Sequence, residues 1–253
     1  MAMASENGAE TGRRLASAAR ISHKVWCELL AAVLLAAVIS AITMLAPTEA
    51  TMGNVQRILY IHVPAAWLSL LGLLVMAGSG VLYLRTRNQS WDQWSQAAAE
   101  LGWFCCGLTL ATGSLWAHAA WGTWWTWDPR LTSTFILWMV YSGYLILRTQ
   151  MDDPHRRGRL SAVFAVIGTL DVPLVIVAAH WFRGIHPSTV AMEPAMRMAL
   201  SLNVAASTAL FSVLLAWRRS QLQRQSSSAF REQQTTSSNL TDHNLMGFDK
   251  QIR

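Results

Sequence analysis

Residues 61–84 read IHVPAAWLSLLGLLVMAGSGVLYL and contain no Asp, Glu, Lys or Arg. As an α-helix this stretch would extend about 36 Å, and the hydrocarbon core of a bilayer is roughly 30 Å thick. A helix pairs its backbone polar groups internally, which lipid requires of any segment that crosses it. The pattern predicts an all-α polytopic membrane protein with six transmembrane helices in one bundle. Five further stretches are similarly apolar and carry few charges: about 26–46, 94–117, 131–149, 160–181 and 196–217.

The composition excludes several classes of protein. Hydrophobic residues make up 53% of the 253 residues and charged residues only 13%, whereas a soluble domain has roughly 25% charged residues. Too few charges remain to cover a soluble globule, and the chain is too apolar to be disordered. The three cysteines form no C-x-x-C motif, which argues against a disulfide scaffold or a dithiol redox site.

The distribution of basic residues predicts the orientation. If the N-terminus lies inside, the inner segments hold sixteen of the 20 Lys and Arg residues, and the outer segments hold Arg57, Arg130, Arg183 and Arg197. This positive-inside bias places both termini in the cytoplasm. The net charge of +6 therefore reflects topology and needs no nucleic acid. We expect a multi-pass protein of the bacterial inner membrane, with the mitochondrial inner membrane as the alternative.

The same reading divides the chain into three parts. Residues 1–24 and 220–253 are polar and lack apolar periodicity, so they are predicted to be disordered cytoplasmic tails. Residues 25–219 form the predicted six-span membrane domain, with a Trp-rich outer segment at 118–130.

Four histidines fall at the predicted outer boundary of the membrane: His62, His118, His180 and His186. Imidazoles gathered at one depth favour a metal or cofactor site, although interfacial polar residues are the alternative for each of them. Five tryptophans crowd the adjoining segment, and they could either support a flat apolar ligand or form an interfacial aromatic belt. They are Trp116, Trp121, Trp124, Trp125 and Trp127.

Three outer arginines lie close in sequence to these groups: Arg57, Arg130 and Arg183. Guanidinium groups bind carboxylates in two-point fashion, and contact with lipid headgroups is the competing role. Indoles for a ring, imidazoles for iron and arginines for propionates together match haem. Asp128-Pro129 also has the pattern of a helix start, with Asp as the N-cap.

The residues that carry these features resemble a known family. RILYIHVPAAW (57–67), GSLWAHAAWGTWWTWDPRLTS (113–133) and the stretch from Pro173 through Trp181 to His186 are similar to the haem exporter protein C (CcmC) family of cytochrome c-type biogenesis. That family belongs to the Trp-rich (WWD) haem-handling superfamily. The resemblance extends over roughly residues 26–217 and departs at Phe182 and at Pro-Ser-Thr after His186.

The resemblance implies that haem b, as the transported ligand, is bound between His62 and His186 as axial ligands of the iron. The resemblance implies that the haem is further supported by Trp121, Trp124, Trp125, Trp127, Asp128, Arg57 and Arg130.

The family also implies partners: a membrane-tethered haem chaperone, the ATPase and permease subunits of an ATP-binding cassette transporter, and a small single-span accessory subunit. The protein would transfer haem in a lyase-like role, without ATPase activity of its own. The alternative function is a cofactor-free permease subunit of such a transporter, for which Glu100 and Asp171 are the obvious intramembrane carboxylates.

Overall fold

The computed structural model describes residues 29–40, 42, 46–48, 52–181 and 192–251, with side chains omitted at 179–181 and beyond 228. Every element longer than a turn in these residues is helical. A short 3-10 helix, Asn54–Ile58, leads directly into α2. The α-helices are α1 (Leu29–Ser40), α2 (Leu59–Thr86), α3 (Gln89–Trp121), α4 (Pro129–Thr149), α5 (Pro154–Gly168), α6 (Asp171–Trp181) and α7 (Pro194–Gln251).

The helices confirm an all-α polytopic membrane protein, but they do not confirm the count of six spans. By length and composition, four helical segments of the described chain can cross a bilayer: Asn54–Thr86, Pro129–Thr149, Pro154–Ala178 and Pro194–Ser228. α3 has 33 residues but is less apolar, because Gly, Ser, Thr and Trp dilute its aliphatic residues. α1 is shorter than a span, and the predicted first span, 26–46, lies partly outside the described residues.

Helices α2 and α3 form the centre of the bundle. Only Arg87 and Asn88 separate them: Arg87 adopts a left-handed conformation with φ 57°, and the Asn88 side chain caps α3 by accepting from Ser90 N at 2.9 Å. At their crossing a Cβ added to Gly72 would lie 3.0 Å from Gly102 Cα. The close approach therefore requires glycine, and the core of α2 packs directly on α3.

Two prolines interrupt the helical hydrogen bonding. Pro64 lies inside α2 and cannot donate to the carbonyl of Tyr60. The fully buried side chain of Asn203 on α7 donates Nδ2–H to that carbonyl instead. The predicted span 160–181 is broken at Thr169–Leu170, just before Pro173, so that it forms α5 and α6.

The C-terminal helix is longer than the predicted span 196–217. α7 begins at Pro194, two residues before the predicted span, and its backbone remains helical as far as Gln251. The predicted tail 1–24 lies outside the described residues. The domain boundaries and the disorder of the segment 220–253 stay predictions.

Candidate functional site

His62 lies near the start of α2, on a continuous helical segment that begins with the 3-10 helix. The predicted apolar stretch 61–84 places His62 at its very beginning. The helix begins earlier, at Leu59, because Asn203 replaces the backbone donor that Pro64 lacks. His62 is therefore part of a rigid helix rather than of the connection before it.

The His62 ring is held against α3. Its Nδ1 lies 3.1 Å from Thr112 Oγ1, and a Cβ added to Gly113 would lie 3.0 Å from its Cε1. Trp116, one turn further along α3, approaches the ring edge-on, with centroids 6.4 Å apart and planes at 62°. Thr112, Gly113 and Trp116 thus contact the imidazole from two successive turns of one helix.

A cavity of about 490 Å³ opens beside this histidine, and we call it the main cavity. Its lining comes from five helices. α2, α3 and α4 supply most of it, and α6 and α7 contribute Val175 and Leu200. Most of the lining is aliphatic. The side chains with ring or polar character are His62, Trp67, Thr109, Trp116, Trp121, Arg130 and Thr134.

The structure separates the Trp-rich segment into three groups. α3 ends at Trp121 because Gly122 takes a left-handed conformation with φ 71°. The shared helical face that a longer helix would give to Trp121, Trp124 and Trp125 therefore does not form. Trp121 lines the main cavity and lies 6.2 Å from Trp116, centroid to centroid.

Trp124 turns towards the end of α3. Its ring stacks on His118 with centroids 4.0 Å apart and planes within 6°. Both residues are exposed. Trp124 thus lies on the surface beside the cavity lining, and His118 is a partner of an indole, in keeping with its interpretation as an interfacial residue.

Trp125 and Trp127 line a second cavity of about 450 Å³, formed with Gly107, Leu110, Phe135 and Trp138. Leu110 of α3 also lines the main cavity, so the two cavities are neighbours across that side chain. Trp127 is 76% exposed. The predicted indole support is therefore distributed over two adjacent hollows rather than one flat surface.

The predicted arginines and Asp128 occupy different positions. Arg130 lines the main cavity. Arg57 lies in the 3-10 helix before α2, outside the described lining of that cavity. Asp128 caps α4: its Oδ1 accepts from Leu131 N at 2.9 Å and its Oδ2 from Thr126 Oγ1 at 3.1 Å. The predicted Asp-Pro helix start is confirmed.

The remaining predictions fall on residues without a described side chain. His186 and Arg183 lie outside the described residues, and His180 and Trp181 end α6 with their side chains omitted. The second predicted iron ligand thus stays a prediction.

The structure adds Thr112 and Gly113 to the site. The sequence offered a weak signal for them, because Gly113 begins the quoted motif and Thr112 directly precedes it. A threonine and a glycine in an apolar helix are, however, ordinary packing residues. Only the contact with a histidine 50 positions earlier in the chain distinguishes them.

Comparisons with known proteins identify the family of this chain. A sequence model of the family described as Heme exporter protein C matches residues 9–237. The Heme exporter protein C of Bradyrhizobium diazoefficiens is 36% identical over 188 residues, which are 71% of this chain and 72% of that protein. The Escherichia coli K12 protein of the same name is 33% identical over 163 residues, 63% of this chain and 66% of that protein.

A mitochondrial relative extends the comparison. A ccmC-like mitochondrial protein of cytochrome c biosynthesis from Marchantia polymorpha is 38% identical over 146 residues. Those residues are 57% of this chain and 61% of that protein's length.

The fold and the cavity define a class: an all-α, multi-pass membrane protein that places a histidine and tryptophans around an apolar cavity. The family match includes every residue that lines this cavity. The chain belongs to the heme exporter protein C family.

Proposed function

We propose that this protein binds haem b in the main cavity, with His62 as an axial ligand of the iron, as one step of c-type cytochrome maturation. The observation that carries the proposal is that His62, Trp116, Trp121 and Arg130 line a single cavity of about 490 Å³. The names of the relatives, which refer to heme export and cytochrome c biosynthesis, support it independently.

The main cavity suits a large planar ligand with a few polar groups. Its volume falls within the range of roughly 300–1,000 Å³ that is common for ligand pockets, and its lining is mostly apolar. Indoles favour stacking and edge contacts with flat rings. Arg130 offers a guanidinium that can pair with a carboxylate such as a propionate. An imidazole is a common axial ligand of haem iron.

The other predicted residues complete the proposal. His186 serves as the second axial ligand, as the resemblance implies. The haem, or its exit from the exposed side of the cavity, is supported by Trp124, Trp125, Trp127 and Arg57. Asp128 acts by starting α4, which carries Arg130 in its first turn.

Haem is then delivered at the periplasmic face of the bacterial inner membrane to a membrane-tethered haem chaperone. This protein presents the bound haem in a lyase-like role, because the chaperone and not this chain receives the covalent link. The ATPase and permease subunits of an ATP-binding cassette transporter and a small single-span subunit are the further partners that we propose. ATP hydrolysis belongs to the ATPase subunit.

The alternative of a cofactor-free permease subunit receives less support from the polar residues. Glu100 is paired with Arg218 of α7, whose Nη2 donates to Oε1 at 3.1 Å. Asp171 is 6% exposed and lies at the break between α5 and α6. Glu100 lies inside α3 and Asp171 at the start of α6, so the two carboxylates do not suggest one continuous polar path.

The absorption spectrum of the purified protein with added haem tests the proposal. We expect the wild type to bind haem saturably with a bis-histidine spectrum, and His62→Ala to lower the affinity by at least about tenfold, because one axial bond is lost. His186→Ala should do the same. His155→Ala is the matched control, since His155 is exposed in the first turn of α5.

Two results would contradict the proposal. One is a wild type that binds no haem saturably; the other is His62→Ala with the affinity and spectrum of the wild type. A thermal unfolding curve of each variant in detergent shows whether a lost spectrum reflects a lost ligand or an unfolded bundle.

A further inference from the structure

We propose that Thr112 and Gly113 are positioning residues for His62: Thr112 fixes the proton of the imidazole on Nδ1, and Gly113 leaves the space in which the ring lies. The inference about the ring stands on the geometry of α2 and α3. Its consequence for haem rests on the proposed function, because a ring protonated on Nδ1 holds its lone pair on Nε2.

The hydrogen bonds of Thr112 decide which atom carries the proton. A threonine hydroxyl has one proton to donate and can accept with its lone pairs. Thr112 Oγ1 lies 2.7 Å from the Leu108 carbonyl and 3.3 Å from the Thr109 carbonyl. Both carbonyls only accept, so the hydroxyl proton points to them, and the shorter distance marks Leu108 as its main partner.

The hydroxyl therefore acts as an acceptor towards His62. The 3.1 Å contact between Thr112 Oγ1 and His62 Nδ1 is satisfied only when Nδ1 carries a hydrogen. In a neutral imidazole the other nitrogen is then the unprotonated one. A histidine binds metal through such an unprotonated nitrogen, and the hydrogen bond made by the other nitrogen selects it.

Burial makes this selection effective. Thr112 is 8% exposed, so water has little access to its hydroxyl. A buried hydrogen bond is harder to replace by solvent than an exposed one, so removing the Thr112 acceptor should alter the balance between the two tautomers. The choice of tautomer is thus built into α3 before any ligand binds.

Gly113 contributes space rather than a hydrogen bond. A Cβ at this position would lie 3.0 Å from His62 Cε1 and 3.5 Å from Nδ1. Contacts this short between carbon atoms are repulsive, since the favourable separation is about 3.5–4.0 Å. Alanine at residue 113 would push the ring away from Thr112, although alanine favours the helix more than glycine does.

The protonation of the ring can be measured without haem. We propose 15N NMR of the haem-free, full-length protein in detergent with ring-labelled histidine, assigning the His62 signals by their disappearance in His62→Gln. The wild type should show a protonated Nδ1 and an unprotonated Nε2. Thr112→Val, which keeps the shape but removes the acceptor, should shift the proton wholly or partly to Nε2, and Thr112→Ser should restore the wild-type pattern.

The chain offers a matched control in Thr208 of α7. Its hydroxyl also donates to the carbonyl four residues earlier, Val204, at 2.7 Å, and it accepts from a side chain of α2, Trp67 Nε1, at 3.2 Å. Thr208→Val removes a threonine acceptor that serves a different ring of α2, across the α2–α7 contact, and should leave the His62 signals unchanged. A wild type protonated on Nε2, or a Thr112→Val ring like that of the wild type, would overturn the tautomer assignment.

Haem titration tests the consequence. Outer partners of metal ligands commonly change metal affinity by about 10–100-fold when removed, so we expect Thr112→Val to weaken haem binding by that factor and Thr112→Ser to stay near the wild type. Gly113→Ala should weaken haem binding without lowering the thermal midpoint. A Thr112→Val protein that changes its tautomer but keeps full haem affinity would overturn the positioning role.

The two proposals fail in different ways. If the wild type does not bind haem, the proposed function is wrong, while the NMR result still decides the tautomer. If the wild type binds haem through His62 but its ring is protonated on Nε2 before binding, the inference is wrong and the proposed function stands.

Discussion

The two halves of α3 have different roles: one borders a cavity, and the other anchors the helix in the bundle. The half that ends at Trp121 contacts His62 and lines a cavity of about 490 Å³. The half that begins at Gln89 is tied into the bundle by a buried ion pair with α4 and a partly exposed ion pair with α7. One helix thus supplies both a region with room for a ligand and a region that holds the bundle together.

The ion-paired half is built around Asp92 and Arg148, which are 5% and 7% exposed. Arg148 donates to both carboxylate oxygens of Asp92, at 2.6 and 2.8 Å, and to Gln96 Oε1 at 2.8 Å. Tyr144 and Ser95 extend the network through a 2.9 Å contact between their hydroxyl oxygens. Charges this deeply buried persist because each has an opposite partner.

The contrast between the two halves of α3 indicates why the half beside the main cavity is aromatic. A polar network fills its volume with specific partners, and each polar group left without one costs free energy. Indoles and aliphatic side chains can border a cavity at much lower cost. The cavity is therefore compatible with a stable bundle because the bordering groups are mostly apolar and the charges are concentrated at the other half.

Arg148→Met is the variant with the largest expected effect, and it tests whether the ion-paired half of α3 stabilises the bundle independently of the cavity half. Removing the guanidinium leaves the Asp92 carboxylate buried without its partner, and we expect a loss of about 3–5 kcal/mol of stability. Thermal unfolding in detergent measures the loss, while haem affinity of the protein that remains folded should stay within about twofold.

The double variant Asp92→Leu with Arg148→Met is its control. It removes both charges, and apolar replacement of a buried pair is often neutral or stabilising, so most of the stability should return. A single variant that unfolds like the wild type, or that loses haem affinity while folded, would contradict the division between the two halves.

Asn203→Leu should have an intermediate effect, since Asn203 joins α7 to the segment of α2 that bears His62. The variant leaves the buried Tyr60 carbonyl without a donor, which costs about 1–3 kcal/mol. Because the start of α2 loses its tie, haem affinity should fall along with the unfolding midpoint.

Pro64→Ala provides the matched test of this explanation. It restores a backbone N–H that can donate to the Tyr60 carbonyl, so Asn203→Leu should cost less in the Pro64→Ala background than alone. Equal costs in both backgrounds would show that the proline is not the reason for the Asn203 contact.

The smallest expected effects are those of single tryptophan substitutions on haem affinity, and they distinguish the main cavity from the second cavity. Trp121→Leu should weaken haem binding by about 2–10-fold, corresponding to the 0.5–1.5 kcal/mol of a ring contact, because Trp121 borders the main cavity. Trp127→Leu, at a 76% exposed position beside the second cavity, should weaken it less. Haem titration of both variants decides the order, and the reverse order would place the ligand against Trp125 and Trp127.

Much of the fold followed from local patterns. The apolar stretch 61–84 lies within α2, and Asp128-Pro129 starts α4 as predicted. The stretch 160–181 was predicted as one apolar span, and its helix is interrupted at Thr169–Leu170. Pro173 has no backbone N–H to donate to the Thr169 carbonyl four residues earlier, and hydropathy does not record that loss.

The site was predictable to a lesser degree. His62, Trp121 and Arg130 were selected by residue type and depth, and the structure brings these three to one cavity. Trp125 and Trp127 were expected on the same support, but Gly122 ends α3 before them. Thr112 and Gly113 could not be singled out, since their role depends on a contact with a residue 50 positions away.

Hydrophobicity and residue type, which are properties of the chain alone, determined that this is a helical membrane protein with haem-compatible side chains near one boundary. The packing of the helices against one another decided everything finer: which hydroxyl meets the imidazole, which indoles share a cavity and which carbonyl accepts from Asn203. That packing includes the close approach of Gly72 and Gly102 between α2 and α3 and the ion pair of Asp92 with Arg148 between α3 and α4. Such contacts exist only after the helices pack, so no reading of neighbouring residues contains them.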